Sequence, residues 1–335
     1  ERRIAAIWAD LLPGVAFGID DDFFEIGGHS LLAISLVERV RRATGVDLPL
    51  ASLLATPTVA SLAARVDEAT GPPRTSPGGQ DSTCLVPLRT GGSRVPLYLI
   101  PPAAGTALSF RELVVNADPD QPLYCFEPVG NDGRAEPHDT VEAMAQHYLT
   151  ELRVAQPDGR FRIGGSCLGA IVAWEMARQL RADGSPVELL VFLDPGPPHS
   201  GPGWSYQLPS TRSFGQLISS TWDIVTSGQL LDAARAVWRR NAFDRIGRIH
   251  YRAQLSYVAE AIEGLPIIWL ESEELARDKP EFLRQWRLLA GDGLTPIVVP
   301  GTTHDGLMTG QAAEIRAMTE ELNRAMDAVE HGRAI

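Results

Sequence analysis

FRIGGSCLGAIVAWEMAR, residues Phe161 to Arg178, is the stretch on which the reading turns. It opens as a short apolar strand (Phe161–Gly164), passes through a glycine-rich turn, and continues as an apolar helix. A strand that turns sharply into a helix lifts one side chain above the sheet, and small neighbours let strand and helix approach. The spacing for such a turn is Gly-x-nucleophile-x-Gly. Centred on Ser166, the pattern places Leu168 where a small residue is wanted. Centred on Cys167, it places Gly165 and Gly169 at both required positions. Cys167 is therefore the expected nucleophile, with Ser166 the competing register. An inert buried thiol is the ordinary fate of a free cysteine, but a helix N-terminus favours the thiolate.

Outward from this turn, short apolar runs alternate with helical segments from Cys84 onward. Strands are expected at Pro96–Ile100, Leu123–Phe126, Phe161–Gly164, Glu188–Leu193, Pro266–Leu270 and Pro296–Val299, with helices such as Val141–Leu152 and Val172–Leu180 between them. That alternation predicts a mostly parallel sheet with helices on both faces. The segment Trp204 to Glu263 breaks it. Phe214, Leu217, Ile218, Trp222 and Val225 repeat at helical spacing with no strand, which predicts a helical lid over about 203–263.

A nucleophile in this setting needs an acid and a base, in that chain order. Asp194 ends the apolar run Leu189–Leu193 and is followed by Pro-Gly-Pro-Pro, which puts its carboxylate at the C-terminal edge of the sheet. Glu271, after the next strand, is the alternative acid. His304 lies in Val299-Pro300-Gly301-Thr302-Thr303-His304-Asp305-Gly306, a loop between the last strand and the last helix. It is the expected base. Of the two amides that stabilise a developing oxyanion, one is expected from Leu168, directly after the nucleophile.

Residues 1–70 follow another pattern. Ile4, Ile7, Trp8 and Leu11 mark one helix face, Leu32, Leu36, Val37 and Val40 a second, and Val59, Leu62, Ala63 and Val66 a third. Residues 71–83 carry Pro, Gly and Ser without apolar periodicity and read as a linker. Within Asp21-Asp22-Phe23-Phe24-Glu25-Ile26-Gly27-Gly28-His29-Ser30-Leu31-Leu32, Ser30 stands at a helix start. Alone, it would be a plain N-cap.

As a whole, that segment resembles the attachment site of peptidyl carrier domains of nonribosomal peptide synthetases. The resemblance implies a small four-helix carrier domain over 1–70, with 4'-phosphopantetheine attached to Ser30 by a phosphopantetheinyl transferase. A helix N-terminus suits the phosphate, through free amides and the positive end of the dipole. Residues 84–335 in turn resemble the C-terminal thioesterases of those synthetases, α/β-hydrolases that discharge the finished chain. This implies Cys167, Asp194 and His304 as the catalytic set, a peptidyl thioester as substrate, and condensation and adenylation domains upstream. The loop Ile100-Pro101-Pro102-Ala103-Ala104-Gly105 resembles the family's oxyanion loop, so the second amide is expected from Ala103. The departure is the cysteine, where the family usually has serine. Transfer of an acyl group from thiol to thiol keeps it activated. The cysteine resembles that of thioesterases releasing four-membered lactams or lactones, and release by cyclisation is expected, with hydrolysis, macrocyclisation, or a non-catalytic docking scaffold as alternatives.

Composition agrees. A chain of 335 residues suits two domains, and it opens directly on a helical pattern, as an excised piece of a longer polypeptide would. The net charge of −12, without a basic cluster backed by aromatics, argues against nucleic acid and anionic membranes. No apolar run approaches a membrane span and no export signal opens the chain. Cys84, Cys125 and Cys167 are scattered and lack metal-ligand spacing, which fits the reducing cytoplasm and no disulfide. The lid arginines (Arg235, Arg239, Arg240, Arg245, Arg248, Arg252) are expected to form a solvated face, or to meet the acidic surface Asp20, Asp21, Asp22 and Glu25 or an anionic substrate group.

Overall fold

The computed structural model describes residues 1–28, 30–46, 48, 53, 57–70, 84–103, 105–130, 135–157, 159–198, 245–309 and 311–333. The N-terminal domain contains α1 (Arg2–Leu11), α2 (Ser30–Thr44) and α3 (Val59–Thr70). Their apolar faces close on one core: Ile4, Trp8 and Leu11 from α1, Ala33, Leu36 and Val40 from α2, and Val59, Leu62 and Val66 from α3. Leu48 and Leu53 add to it, while the rest of 47–56 lies outside the described residues. Ile7 and Leu32, expected inside, are only partly buried. The turn before α2 is fastened from within. Phe23 stacks edge-on against Trp8, with ring centroids 5.0 Å apart. A side chain at Gly28 would lie 2.4 Å from the Phe23 ring, and Gly27 has φ +109°. Both glycines are thus required by the turn itself, besides any room they leave for a transferase.

The larger domain is built on seven strands: β1 (Leu85–Arg89), β2 (Leu97–Ile100), β3 (Leu123–Phe126), β4 (Phe161–Ser166), β5 (Val187–Leu193), β6 (Ile267–Ser272) and β7 (Leu294–Val299). Their order is β1-β3-β2-β4-β5-β6-β7. All neighbours are parallel except β1, which runs antiparallel to β3 at one edge. The helices are α4 (Arg111–Asn116), α5 (Val141–Ala155), α6 (Leu168–Ala182), α7 (Glu273–Asp278), α8 (Pro280–Ala290), α9 (His304–Thr309) and α10 (Ala312–Glu330). One apolar layer joins α5, α6 and α8 to one sheet face, and a second joins α4 and α10 to the other. This is the mostly parallel sheet with helices on both faces expected from the alternation, and the α/β-hydrolase fold that the resemblance implies. All six expected strands form. The edge strand β1 escaped notice because Leu85–Arg89 is interrupted by Pro87 and too short to show a period.

The strand order reverses between β2 and β4. Chain leaving the C-terminal ends of these two strands diverges to opposite sides, which opens a crevice there. The turn after β4 carries Cys167, and the loop after β2 carries Ala103. Of the expected lid, residues 199–244 lie outside the described part, and residues 245–256 are helical as predicted.

Candidate active site

Cys167 is the single residue between β4 and α6, with φ +52° and ψ −114°. Among the described residues only Cys167 and Asp194 (φ +47°) are non-glycines with positive φ. Such a conformation costs about 1–3 kcal/mol per residue and persists only where surroundings enforce it. The glycines on either side enforce it here. A side chain at Gly165 would lie 2.2 Å from the Gly169 carbonyl carbon, and one at Gly169 would lie 2.1 Å from the Ile100 oxygen. Strand, helix and the loop after β2 therefore converge at van der Waals contact on the Cys167 turn. Cys167 is partly exposed. Ser166, by contrast, ends β4 opposite Leu193, is buried, and directs its Oγ to Met308 Sδ at 3.8 Å. The two registers left open by the sequence thus have different surroundings.

The acid and the base come from the ends of neighbouring strands. Asp194 follows β5, is fully buried, and receives the Ser272 N–H on Oδ1 at 2.7 Å. Its own N–H donates to the Leu270 carbonyl at 2.7 Å. Its Oδ2 accepts from His304 Nδ1 at 2.5 Å. The loop past Asp194 is tied down as Trp286 Nε1 donates to the Gly196 carbonyl at 2.9 Å. His304 opens α9. Burial opposes the charged ring, but hydrogen bonds to Asp194 and Cys167, with the attraction of both groups, outweigh it and hold His304 at about 10. His304 and Asp194 are thus in direct contact, with the Cys167 thiol among the groups that raise the His304 pKa.

Glu271, the alternative acid, is buried at the end of β6. Burial raises its pKa, and the nearby Asp194 charge adds to the rise, against a lowering contact with Trp269. Leu168 begins α6, where first-turn amides have no intrahelical acceptor. Ala103 lies in the loop beyond Ile100, against which Gly169 is packed.

Three carboxylates absent from the sequence reading hold the histidine loop. Glu274 accepts the His304 N–H at 2.9 Å, Glu273 accepts the Gly301 N–H at 2.8 Å, and Glu314 accepts the Thr303 N–H. Their signal was Ser272-Glu273-Glu274, a capping serine with acids in the first turn, which reads as a helix start and conceals the second role.

Ser30 opens the 15-residue α2, whose first turn carries no acid. A helix start of this kind favours an attached anion. Residues 2–66 match the phosphopantetheine attachment site family, and residues 95–244 match the thioesterase domain family. The chain joins a phosphopantetheine carrier domain to a thioesterase domain. It is 38% identical over 201 residues to the dimodular nonribosomal peptide synthase of Bacillus subtilis (strain 168), covering 59% of this chain and 8% of that one. It is 34% identical over 349 residues to the probable nonribosomal peptide synthetase CymA of Salinispora arenicola (strain CNS-205), covering 94% of this chain and 4% of that protein. The chain therefore spans under a tenth of these relatives. A solved four-domain nonribosomal peptide synthetase, holo-AB3403 with AMP and glycine, matches 95% of this chain with a TM-score of 0.58 and 25% identity, over 25% of its own length. Nearly the whole chain thus matches part of one larger synthetase. Among the described residues no helix is long and apolar enough to cross a membrane.

Proposed function

We propose that this chain is the release end of a nonribosomal peptide synthetase, which discharges a peptidyl thioester from Ser30 through an acyl-cysteine on Cys167. The observation that carries the reading is the positive-φ Cys167 between two glycines that tolerate no side chain, in a domain whose His304 is paired to Asp194. Phosphopantetheine on Ser30 supplies the thiol that presents the acyl group. His304 takes the Cys167 proton as the sulfur attacks. A bond forms from Cys167 Sγ to the acyl carbon, the carbon–sulfur bond to the carrier breaks, and His304 gives its proton to the departing thiolate. The oxyanion meets the backbone amides of Leu168 and Ala103. Asp194 keeps the ring oriented with Nδ1 protonated.

Discharge follows when an amine or hydroxyl within the acyl chain attacks the same carbon, passes its proton to His304, and expels the Cys167 thiolate. The product is a ring, and no water is consumed. Because thioester exchanges for thioester, the acyl group stays activated until ring closure, which suits a strained four-membered lactam or lactone. The reading places condensation and adenylation domains upstream, a transferase that installs the arm, and a cytoplasmic setting.

The test is peptide mapping by mass spectrometry after exposure to an acyl-pantetheine, with the parent, Cys167→Ala and Ser166→Ala proteins. Label on Cys167, lost only in Cys167→Ala, is the expected result. Label on Ser166 overturns the cysteine mechanism, and no label on either leaves a non-catalytic scaffold.

A further inference from the structure

One contact joins the carrier domain to the thioesterase domain beside the oxyanion loop. The Arg111 guanidinium carbon stands 4.4 Å from the centroid of the Phe24 ring. Its Nη2 lies 4.0 Å from Asp22 Oδ1, while its Nη1 pairs with the adjacent Glu112. Leu108, one turn earlier, packs against the carrier's own hydrophobic core. Arg111 begins α4, and Leu108 belongs to the 3-10 turn Ala107–Phe110 that leaves the oxyanion loop. That turn is anchored by the Thr106 side chain and by the Ala107 N–H donating to Glu127 at 2.8 Å.

The carrier side is equally rigid. Asp22 Oδ1 accepts the Phe24 N–H at 2.7 Å, and Phe24 meets Phe23 edge-on with centroids 5.4 Å apart. Phe23 packs on Trp8 and fills the space beside Gly28, two residues before Ser30. The surface that Arg111 grips is therefore the same turn that presents the arm-bearing serine. Its charge complements an acidic turn formed by Asp20, Asp21, Asp22 and Glu25. Arg245, one of the lid arginines, pairs instead with Glu136 in the thioesterase domain.

From this geometry we infer that Arg111 is a positioning residue that seats the chain's own carrier domain for delivery in cis, and that it discriminates carrier-borne from freely diffusing acyl donors. The inference rests on the proposed delivery from Ser30 to Cys167. Arg111 touches no reacting atom. A cation over an aromatic face and a partly exposed ion pair together support about a tenfold preference.

The experiment compares two rates in the full chain. One is single-turnover discharge of an acyl group loaded on the arm at Ser30; the other is kcat/KM with free acyl-pantetheine. Arg111→Glu should slow the first about tenfold and leave the second within about twofold. Asp22→Arg should do likewise, and the charge-swapped pair Asp22→Arg with Arg111→Asp should recover part of the loss. An equal loss in both rates would make Arg111 merely structural. An unchanged discharge rate would show that the contact plays no part in delivery. Turnover of neither donor by the parent would instead remove the release reading itself, which separates the two failures. Arg111→Lys, which keeps charge but loses the planar stack, serves where Arg111→Glu does not fold, with an intermediate slowing expected and parent-level discharge counting against the inference.

Discussion

Asp194 Oδ2 accepts a 2.5 Å hydrogen bond from His304 Nδ1, and its other oxygen is held by the Ser272 backbone N–H at 2.7 Å. The carboxylate is fully buried and its backbone lies at φ +47°. Backbone strain, a backbone donor from the next strand and the histidine ring together leave Asp194 one orientation. Removing its charge while keeping its shape should therefore disturb the ring's tautomer more than the fold. Asp194→Asn should lower kcat by about 10³–10⁴-fold. Glu271→Gln, at the competing acid position, should stay within a few-fold of the parent. Steady-state kinetics on both variants checks the assignment, and the reverse ranking would transfer the role to Glu271.

Cys167→Ala should remove acyl-enzyme formation and lower turnover by about 10³-fold or more. Cys167→Ser tests the proposed benefit of the thiol. It should still be acylated, but as an oxoester, with the ratio of cyclic to hydrolysed product falling about tenfold. Product masses differing by one water report that ratio. An unchanged ratio would mean that the sulfur is not what drives ring closure.

His304 has an ordinary value of 6.5 and stands at about 10 in the fold. Its folded pKa is raised, so the stability it contributes is complete below about pH 6.5 and disappears as pH climbs through about 10. Thermal melts of the parent should lose stability over that alkaline window. Asp194→Asn should flatten the dependence, since it removes one of the two groups that raise the value. Turnover should show an alkaline limb in the same region, and a limb near 6.5 would contradict the pairing.

The glycine pair beside Cys167 has a steric reason. Gly169→Ala would bring a methyl group to 2.1 Å from the Ile100 carbonyl oxygen. Backbone on both sides must shift, at about 1–3 kcal/mol or more. Gly91→Ala, with nothing within 4 Å, should remain within about 0.5 kcal/mol. Denaturant melts of the two variants measure the difference, and equal midpoints would remove the close-approach argument.

The amino-acid sequence by itself determined the domain order, the six inner and far strands, and the neighbourhood of the site. It did so because β-strand and helix periodicities are local, and because Gly165 and Gly169 declare a backbone approach that nothing else tolerates. The positions of Ser30, Cys167 and His304 at junctions between elements were legible in the same way. What only the tertiary structure decided is which groups meet. The choice between Asp194 and Glu271 depends on the register of β5 against β6, which sets Ser272 and His304 against one carboxylate and not the other. Glu273, Glu274 and Glu314 hold the histidine loop across gaps of 28, 30 and 11 residues. Arg111 meets Phe24 across a linker that carries no pattern at all. Such pairings depend on how the elements stack, and side-chain type along a chain records an element's buried face but not the partner that will cover it.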